Sequence, residues 1–569
     1  MNRLLLLYIV LSFACALALH AQKTTPTTEF TLPSDTTRTA PAENKPEPRE
    51  PQLELPDVLI WGKDQYHRRV DHKKAIAPDS PLLPQHQAAY EPMSIWFKKS
   101  AEKPHIETVD SLKIQQAWAK IMGGSYYTVI GDGGYWRKLE QGDVLGTAWF
   151  DRSEGQFANT KYAQGGLTGK VSYDVNPQTM AIGRAGLQQF TRGMHTTAFG
   201  FPNAVRSGQM GSLIADLRYD INSLSDGNIG FELGGMSMTT DTTNTAIDKT
   251  DNFYYQVHFD YTAQFKKTQL TATGQYTRET LESQRDSLTQ KSGFGSVGIE
   301  LSQPLSSLFS AAVAADFQSF TLDTLEAQTR VSPRARLNFT PSSSVGLSLR
   351  LSTGFHYNTF MDYWDQNSYL AHAIPRQPVE ETFSFRLNGD VQLTDLIKFQ
   401  GSFSRRWLES AYYWQADSLT GLINLKSLDG AKLTEIHLGV VAQLNERTRL
   451  QVDFIEYSDT ISEDDSLFSN LNRIPYRSDF RLPIRASVQL LPDMYLTVTA
   501  DILGERRKNL YTTDTFPSIG LFHLDVTKDF GENVMAILSV RNLLDTKYSM
   551  WEGYPEMGVR VLGGVRARF

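Results

Sequence analysis

The sequence predicts an all-β protein, a transmembrane antiparallel β-barrel of about 20 strands (roughly 18 to 22, an even number being usual for a single chain), preceded by a signal peptide and a disordered Pro/Thr-rich linker. Three observations predict it. Apolar and polar side chains alternate with a period of two over most of the chain. The alternating arms run to about 10 to 13 positions, where strands of soluble sandwiches stop at about 5 to 6 and a tilted membrane strand needs about 9 to 11. The connections alternate in length, short then long, as they do in barrels of the bacterial outer membrane.

Composition narrows the alternatives. With 40% hydrophobic and 21% charged residues in 569, the chain is too polar for a bundle of membrane helices. A net charge of -7 argues against a phosphate backbone as partner, so no nucleic acid is expected. The one cysteine, Cys15, falls in the first apolar run. The mature chain is therefore expected to carry no disulfide, cysteine-zinc site or thiol nucleophile.

Taken in order, residues 1–21 read as a secretory signal: Arg3, an apolar stretch Leu4 to Leu19, and Ala21 at the cut. Residues 22–56 are a Thr/Pro/Glu-rich linker, broken by Pro26, Pro33, Pro41, Pro46, Pro48 and Pro51. Residues 57–124 form a partial plug or tether that opens on a short β-prone patch and includes a short helix around Ser111 to Ile121. Residues 125–569 form the barrel. Gly131-Asp132-Gly133-Gly134 lacks the Lys-Ser/Thr of a phosphate loop and reads as a turn or bend at its start.

Within the barrel the alternation can be followed residue by residue. Val331, Ala335, Leu337 and Phe339 oppose Ser332, Arg334, Arg336 and Asn338; Phe383, Phe385, Leu387 and Val391 oppose Ser384, Arg386, Asn388 and Asp390; Leu496, Val498 and Ala500 oppose Thr497, Thr499 and Asp501. Short turns are expected at Asn176-Pro177, Ser225-Asp226-Gly227-Asn228 and Gly531-Glu532-Asn533, and long loops over 192–210, 358–380 and 459–479. Aromatics such as Trp149-Phe150, Phe253-Tyr254-Tyr255, Tyr412-Tyr413-Trp414 and Tyr548 to Trp551 suggest interfacial girdles. The charged members, including Arg334, Arg336, Arg350, Arg386, Asp390, Arg485, Asp501, Asp525, Arg566 and Arg568, are assigned to the lumen, because charge facing hydrocarbon costs about 2 to 4 kcal/mol at the bilayer midplane. Such a wall either passes and binds hydrophilic solutes or forms a structural ladder of opposite charges.

The sequence offers little for catalysis. No GxSxG elbow, HExxH, P-loop or EF-hand pattern occurs, so no enzyme, no cofactor and no metal site is expected. His67, Asp71 and His72 lack the residues that complete a tetrahedral set. Ser462 to Ser466 is either a weak calcium site or an acidic loop tip. The aromatic, acidic stretch around Phe360, Tyr363 and Trp364 is either an outer-loop ligand contact or a loop folded over the barrel mouth.

The end of the chain carries a resemblance. Asn542, Leu543, Asp545 and Tyr548, followed by Gly558, Arg560 and a terminal Phe569, resemble the last outer loop and closing strand of TonB-dependent receptors. In that family an NLFDxxY-like element opens the loop and a PGR-like element re-enters the membrane. The terminal alternation ending in Phe569 resembles the signal read by the barrel assembly machinery. Leu55, Asp57, Val58, Ile60 and Gly62 lie in a stretch similar to the segment that introduces the plug, though the proximal GV and IRG-like elements of a complete plug are absent. The resemblance implies an outer-membrane location, binding or passage of a hydrophilic ligand, and contact with TonB or a periplasmic or lipoprotein partner. A structural or assembly barrel without transport of its own is the competing reading.

Overall fold

Side chains on a strand point alternately to two faces, so a period-two pattern gives every hairpin one apolar and one polar wall. The structure, a computed structural model, describes residues 117–569 apart from 195–203, 223, 243–244, 285–286, 324, 372–377, 418–420, 446 and 462–472. Among the described residues twenty-two strands form a single sheet. Neighbours in sequence pair antiparallel, and the first strand, Ala117–Gly124, pairs with the last, Arg560–Arg568, so the sheet closes on itself. Closure leaves no edge, which is what lets strands cross hydrocarbon with their backbone amides paired.

Burial runs inside out. Val331 is 63% exposed and Leu337 40%, whereas Ser332, between them on the other face, is fully buried. Asp316, Arg406, Asp501, Asp525 and Ser539 are likewise buried, while Leu167, Leu187, Val297, Ile299, Val313, Phe317 and Leu387 are exposed. In water an apolar shell of this extent would associate or collapse. In a bilayer it is the surface the solvent requires.

The strands are longer than the alternation alone suggested, reaching 21 residues at Thr245–Phe265 and 23 at Ile423–Asn445. They extend past the apolar band on the side of the long loops. Tight turns such as those at 140–141, 177–178, 492–493 and 531–533 mark the opposite rim, the periplasmic one by the usual asymmetry. Ala117 and Phe569 both lie at that rim.

Four local expectations are corrected. The segment read as a helix around Ser111 to Ile121 contains a strand from Ala117, so the barrel begins ahead of residue 125. Its run Ala-Trp-Ala-Lys-Ile-Met-Gly-Gly fits either period, and pairing on both sides decides for the strand. Gly131 to Gly134 lie inside the strand Thr128–Leu139. There Gly131 and Gly134 leave room for the rings of Phe150 and Trp118, which a Cβ at either position would meet. Asp226 to Asn228 also lie within a strand, Ser225–Thr242, with Asn222 opposite Ser225; Gly227 makes space for the Tyr219 ring. Of the aromatic stretches, Phe150 and Phe253 are exposed as a girdle requires, but Tyr412, Tyr413, Trp414 and Trp551 are buried in a core outside the membrane.

Candidate functional site

The polar wall builds the lumen. Alternation places Arg334 and Arg336 inward on the strand Leu325–Ser342, where they meet Asp316 at 2.6 Å and Glu300 at 3.1 Å. Arg541 reaches Asp525 on the adjacent strand at 3.0 Å, and Arg481 grips Asp501 with two donors at 2.9 and 2.7 Å. Lys120 pairs with Asp132 near the closing seam. Arg406 donates to Glu381 at 2.6 Å, and the same carboxylate accepts from Ser352 and Ser384. Most of these pairs join neighbouring strands, so they fix register as well as neutralising charge in a wall of low dielectric. Arg336, Arg350 and Arg386 stand directly opposite one another on three successive strands. Of the two alternatives for the polar wall, pairs of opposite charge are present at Arg334, Arg336, Asp501 and Asp525.

Described residues of the long loops pack together at the outer mouth. A short helix, Phe360–Gln366, starts with a reciprocal cap: Thr359 accepts from the Asp362 amide, and the Asp362 carboxylate accepts from the Thr359 amide at 2.6 Å. Its sides bear Phe360, Tyr363 and Trp364, all buried. Trp364 lies 4.9 Å from Phe190, with the Arg206 guanidinium over its ring. Arg206, fully buried, donates to the carbonyls of Leu370 (2.7 Å) and Ser368 (3.2 Å). Tyr363 meets Tyr412 and Trp414 edge to face, and Trp414 in turn meets Trp551.

The last outer loop joins the same core. Tyr554 stacks on Tyr369 at 3.7 Å and donates its hydroxyl to the Gly421 carbonyl at 2.7 Å. Arg506 is buried against the Phe516 ring and donates to the carbonyls of Met550 and Ser549; burial pushes its guanidinium down to about 10. These loops spring from strands widely separated around the barrel, so their common core bridges the opening. It is tied to the wall below by Glu279, which accepts from the Phe360 amide (2.8 Å), the Tyr357 hydroxyl (2.6 Å) and Asn252 (2.7 Å).

The C-terminal motif residues are brought together. Asn542, at a positive φ of 49°, accepts from the Thr546 amide and donates to the carbonyls of Thr546 and Met557. Asp545 accepts from the Val559 amide at 3.0 Å and from Lys547 at 2.8 Å, and the Gly558 amide donates to Gln156. A side chain at Gly558 would meet the Asp545 carboxylate. The motif is thus a clasp joining the start of the last outer loop to its re-entry point. Tyr548 is in the same loop and Arg560 begins the closing strand opposite Arg541. Leu543 is exposed. Phe569 exchanges two backbone hydrogen bonds with Ala117, at 3.2 and 2.9 Å, and sits at the seam.

Sequence reasoning missed Glu279, Arg206 and Arg506, whose roles depend on partners far away in the chain. Leu55, Asp57, Val58, Ile60 and Gly62, the linker, the signal, His67, His72 and Ser462 to Ser466 lie outside the described residues. Among the described residues no cluster of His, Cys, Asp and Glu could hold a metal ion, and no helix is long and apolar enough to cross a membrane.

No family model matches the chain, and no curated protein does. Solved structures do. The ferric-catecholate import receptor Fiu from E. coli K12 aligns with a TM-score of 0.63 at 10% identity, over 80% of this chain and 82% of that one. The copper transporter OprC aligns with a TM-score of 0.65 at 11% identity, over 80% of each chain. The FrpB iron transporter from Neisseria meningitidis gives 0.65 at 10%, over 80% and 81%. At such identities the likeness speaks for the fold alone, and the fold this chain shares with those receptors and transporters is a closed antiparallel β-barrel, here of 22 strands among the described residues.

Proposed function

We propose that this barrel binds a hydrophilic ligand at the cell surface and passes it across the outer membrane, with no catalytic step of its own. The observation that carries the reading is the conjunction of a charged, ion-paired lumen with a mouth bridged by interlocked loops. An inert scaffold needs no polar bore, and an open diffusion pore has no reason to bury Trp364, Trp414 and Trp551 across its entrance. The solved structures of like fold are described as importers or transporters of iron chelates, iron and copper, which supports passage without naming the ligand here.

On this reading Phe360, Tyr363 and Trp364 become a ligand contact only when the cap opens, since they are buried in the closed form. The chain enters the first strand at Ala117 from the short-turn rim. This supports an upstream role for Leu55, Asp57, Val58, Ile60 and Gly62 as the segment engaged by TonB or by a periplasmic or lipoprotein partner. The barrel assembly machinery is the proposed reader of the Phe569 end.

Single-channel recording on the purified protein in a planar bilayer tests the proposal. The wild type should be closed for most of the record, and removing residues 358–371 should open a steady ionic current. The assembly-barrel alternative is favoured by one observation, the buried aromatic core that the loops share. A loop-deleted protein that stays silent and co-purifies with another envelope protein would establish that alternative instead.

A further inference from the structure

The ion-paired arginines of the wall face inward, but Arg405 does not. It follows Ser404 and precedes Arg406, both buried on the lumen side, and so shares the lipid side of the strand Ile397–Ala416 with Phe403 and Trp407. In register it stands opposite Phe385. The rings around it form a continuous patch: Phe383 lies 5.4 Å from Trp407, Phe385 lies 5.3 Å from Phe403, and Phe385 lies 6.2 Å from Trp407. The exposed Arg405 guanidinium sits over the Trp407 ring at 5.1 Å. On the next strand the exposed Lys432 stands directly opposite Trp407. That places the two cations diagonally across one strand pair, roughly 7–8 Å apart at the backbone. Among the described residues neither is paired with a carboxylate; Glu409, farther out on the same strand, limits the basic patch.

Height decides what this patch meets. Residues 397 to 405 climb about 20 Å from the short-turn rim, at roughly 2.5 Å per residue for a tilted strand, and the apolar band is about 25 Å tall. Arg405 and Lys432 therefore lie at the outer edge of the hydrocarbon, with aromatic surface beneath them. A cation facing acyl chains is costly, and one ring contact offsets only part of that cost. An anionic headgroup at this height completes the site.

We propose that Arg405 and Lys432 bind the phosphate of a phosphorylated glycolipid in the outer leaflet, whose acyl chains lie on Phe383, Phe385, Phe403 and Trp407. The contact is separate from ligand passage and holds whether or not the barrel transports anything.

The test uses the full-length protein in nanodiscs of phosphatidylcholine, doped either with bis-phosphorylated lipid A or with the same lipid A after phosphatase treatment, and native mass spectrometry reads the lipid retained. The wild type should retain the phosphorylated form about tenfold better, the worth of one charge-assisted contact. Arg405→Ala and Lys432→Ala should each reduce that preference, and the double variant should abolish it. Folding is checked by heat-modifiable gel mobility; should Arg405→Ala fail to fold, Lys432→Ala alone, at an exposed strand position, still decides. Equal retention of both lipids by the wild type, or an undiminished preference in the folded variants, overturns the proposal.

Discussion

A single asparagine shows how the last outer loop holds its shape. Asn542 sits in the left-handed region, where short polar side chains that bond their own backbone are tolerated best. Its amide group bridges Thr546 and Met557, so Asn542→Ala removes the bridge and leaves a Cβ residue at positive φ. The loss should be about 1–3 kcal/mol of loop stability, read as faster proteolysis between 542 and 559 on the outer surface with barrel assembly intact. Two carboxyls in this loop titrate in opposite senses. The Lys547 ammonium and then the Val559 amide hold Asp545 below the ordinary value of 3.8, so its contribution is present above that value and is lost as pH falls. Burial pushes the half-buried Glu556 up to about 8 against the pull of Arg560; its folded form keeps a proton that the unfolded form gives up near 4.5, so stability falls as pH rises from about 4.5 to about 8. Protection of the 542–559 peptide against hydrogen exchange, after division by the intrinsic rate at each pH, should therefore be greatest near pH 4 to 5. Glu556→Gln should flatten the alkaline limb and Asp545→Asn the acid one; a profile unchanged in both variants would refute the assignment.

At the scale of elements, the strands were legible and the cap was not. Alternation at Val331 to Phe339 or Phe383 to Val391 is a local signal, because each residue's face follows from its parity along one strand. It marked lumen and lipid sides correctly and failed where a short apolar run fits two periods, as at Ala117–Gly124, where glycine serves a neighbouring ring instead of a turn, as at Gly227, and at the loop expected over 192–210, which is strand up to Met194 and again from Ala204. The cap rests on pairs such as Tyr554 with Gly421 and Arg206 with Leu370, separated by more than a hundred residues and matched by no periodicity. Phe360, Tyr363 and Trp364 were visible as aromatics, but whether they face a ligand or a core depends on those distant partners. The helix they belong to is only 7 residues long and cannot hold itself in water. Its support is Glu279, whose carboxylate takes the Phe360 amide and the Tyr357 hydroxyl. Glu279→Gln keeps the shape but leaves one acceptor oxygen in place of two and removes the charge from the three hydrogen bonds that Glu279 accepts. In planar bilayers the variant should show openings more often than the wild type while conducting the same current per opening. A changed unit current would mean that the wall, not the latch, had been altered.

For the molecule as a whole, the decisive step is closure of the sheet, and the chain end takes part in it in two separable ways. The Phe569 backbone exchanges hydrogen bonds with Ala117, sealing the rim where first and last strands meet. Its ring is 72% exposed, so it contributes little packing and is available to whatever reads the finished strand. Next to it Trp118 stands opposite Arg568 and Ile121 opposite Val565, whereas glycines thin the side-chain pairing toward the other end of the seam, with Gly123 opposite Gly563 and Met122 opposite Gly564. Deleting Phe569 removes both bonds and the ring together, whereas Phe569→Ala keeps the bonds and removes the ring. If an assembly factor reads the ring, both variants should fall several-fold in outer-membrane abundance, with the exported precursor accumulating in the periplasm. If only the seam matters, the deletion should fall alone, and the purified deleted protein should unfold at a lower temperature while Phe569→Ala matches the wild type. Wild-type abundance and stability in both variants would show that the strand closes without its last residue and would remove Phe569 from the account of how the barrel is made.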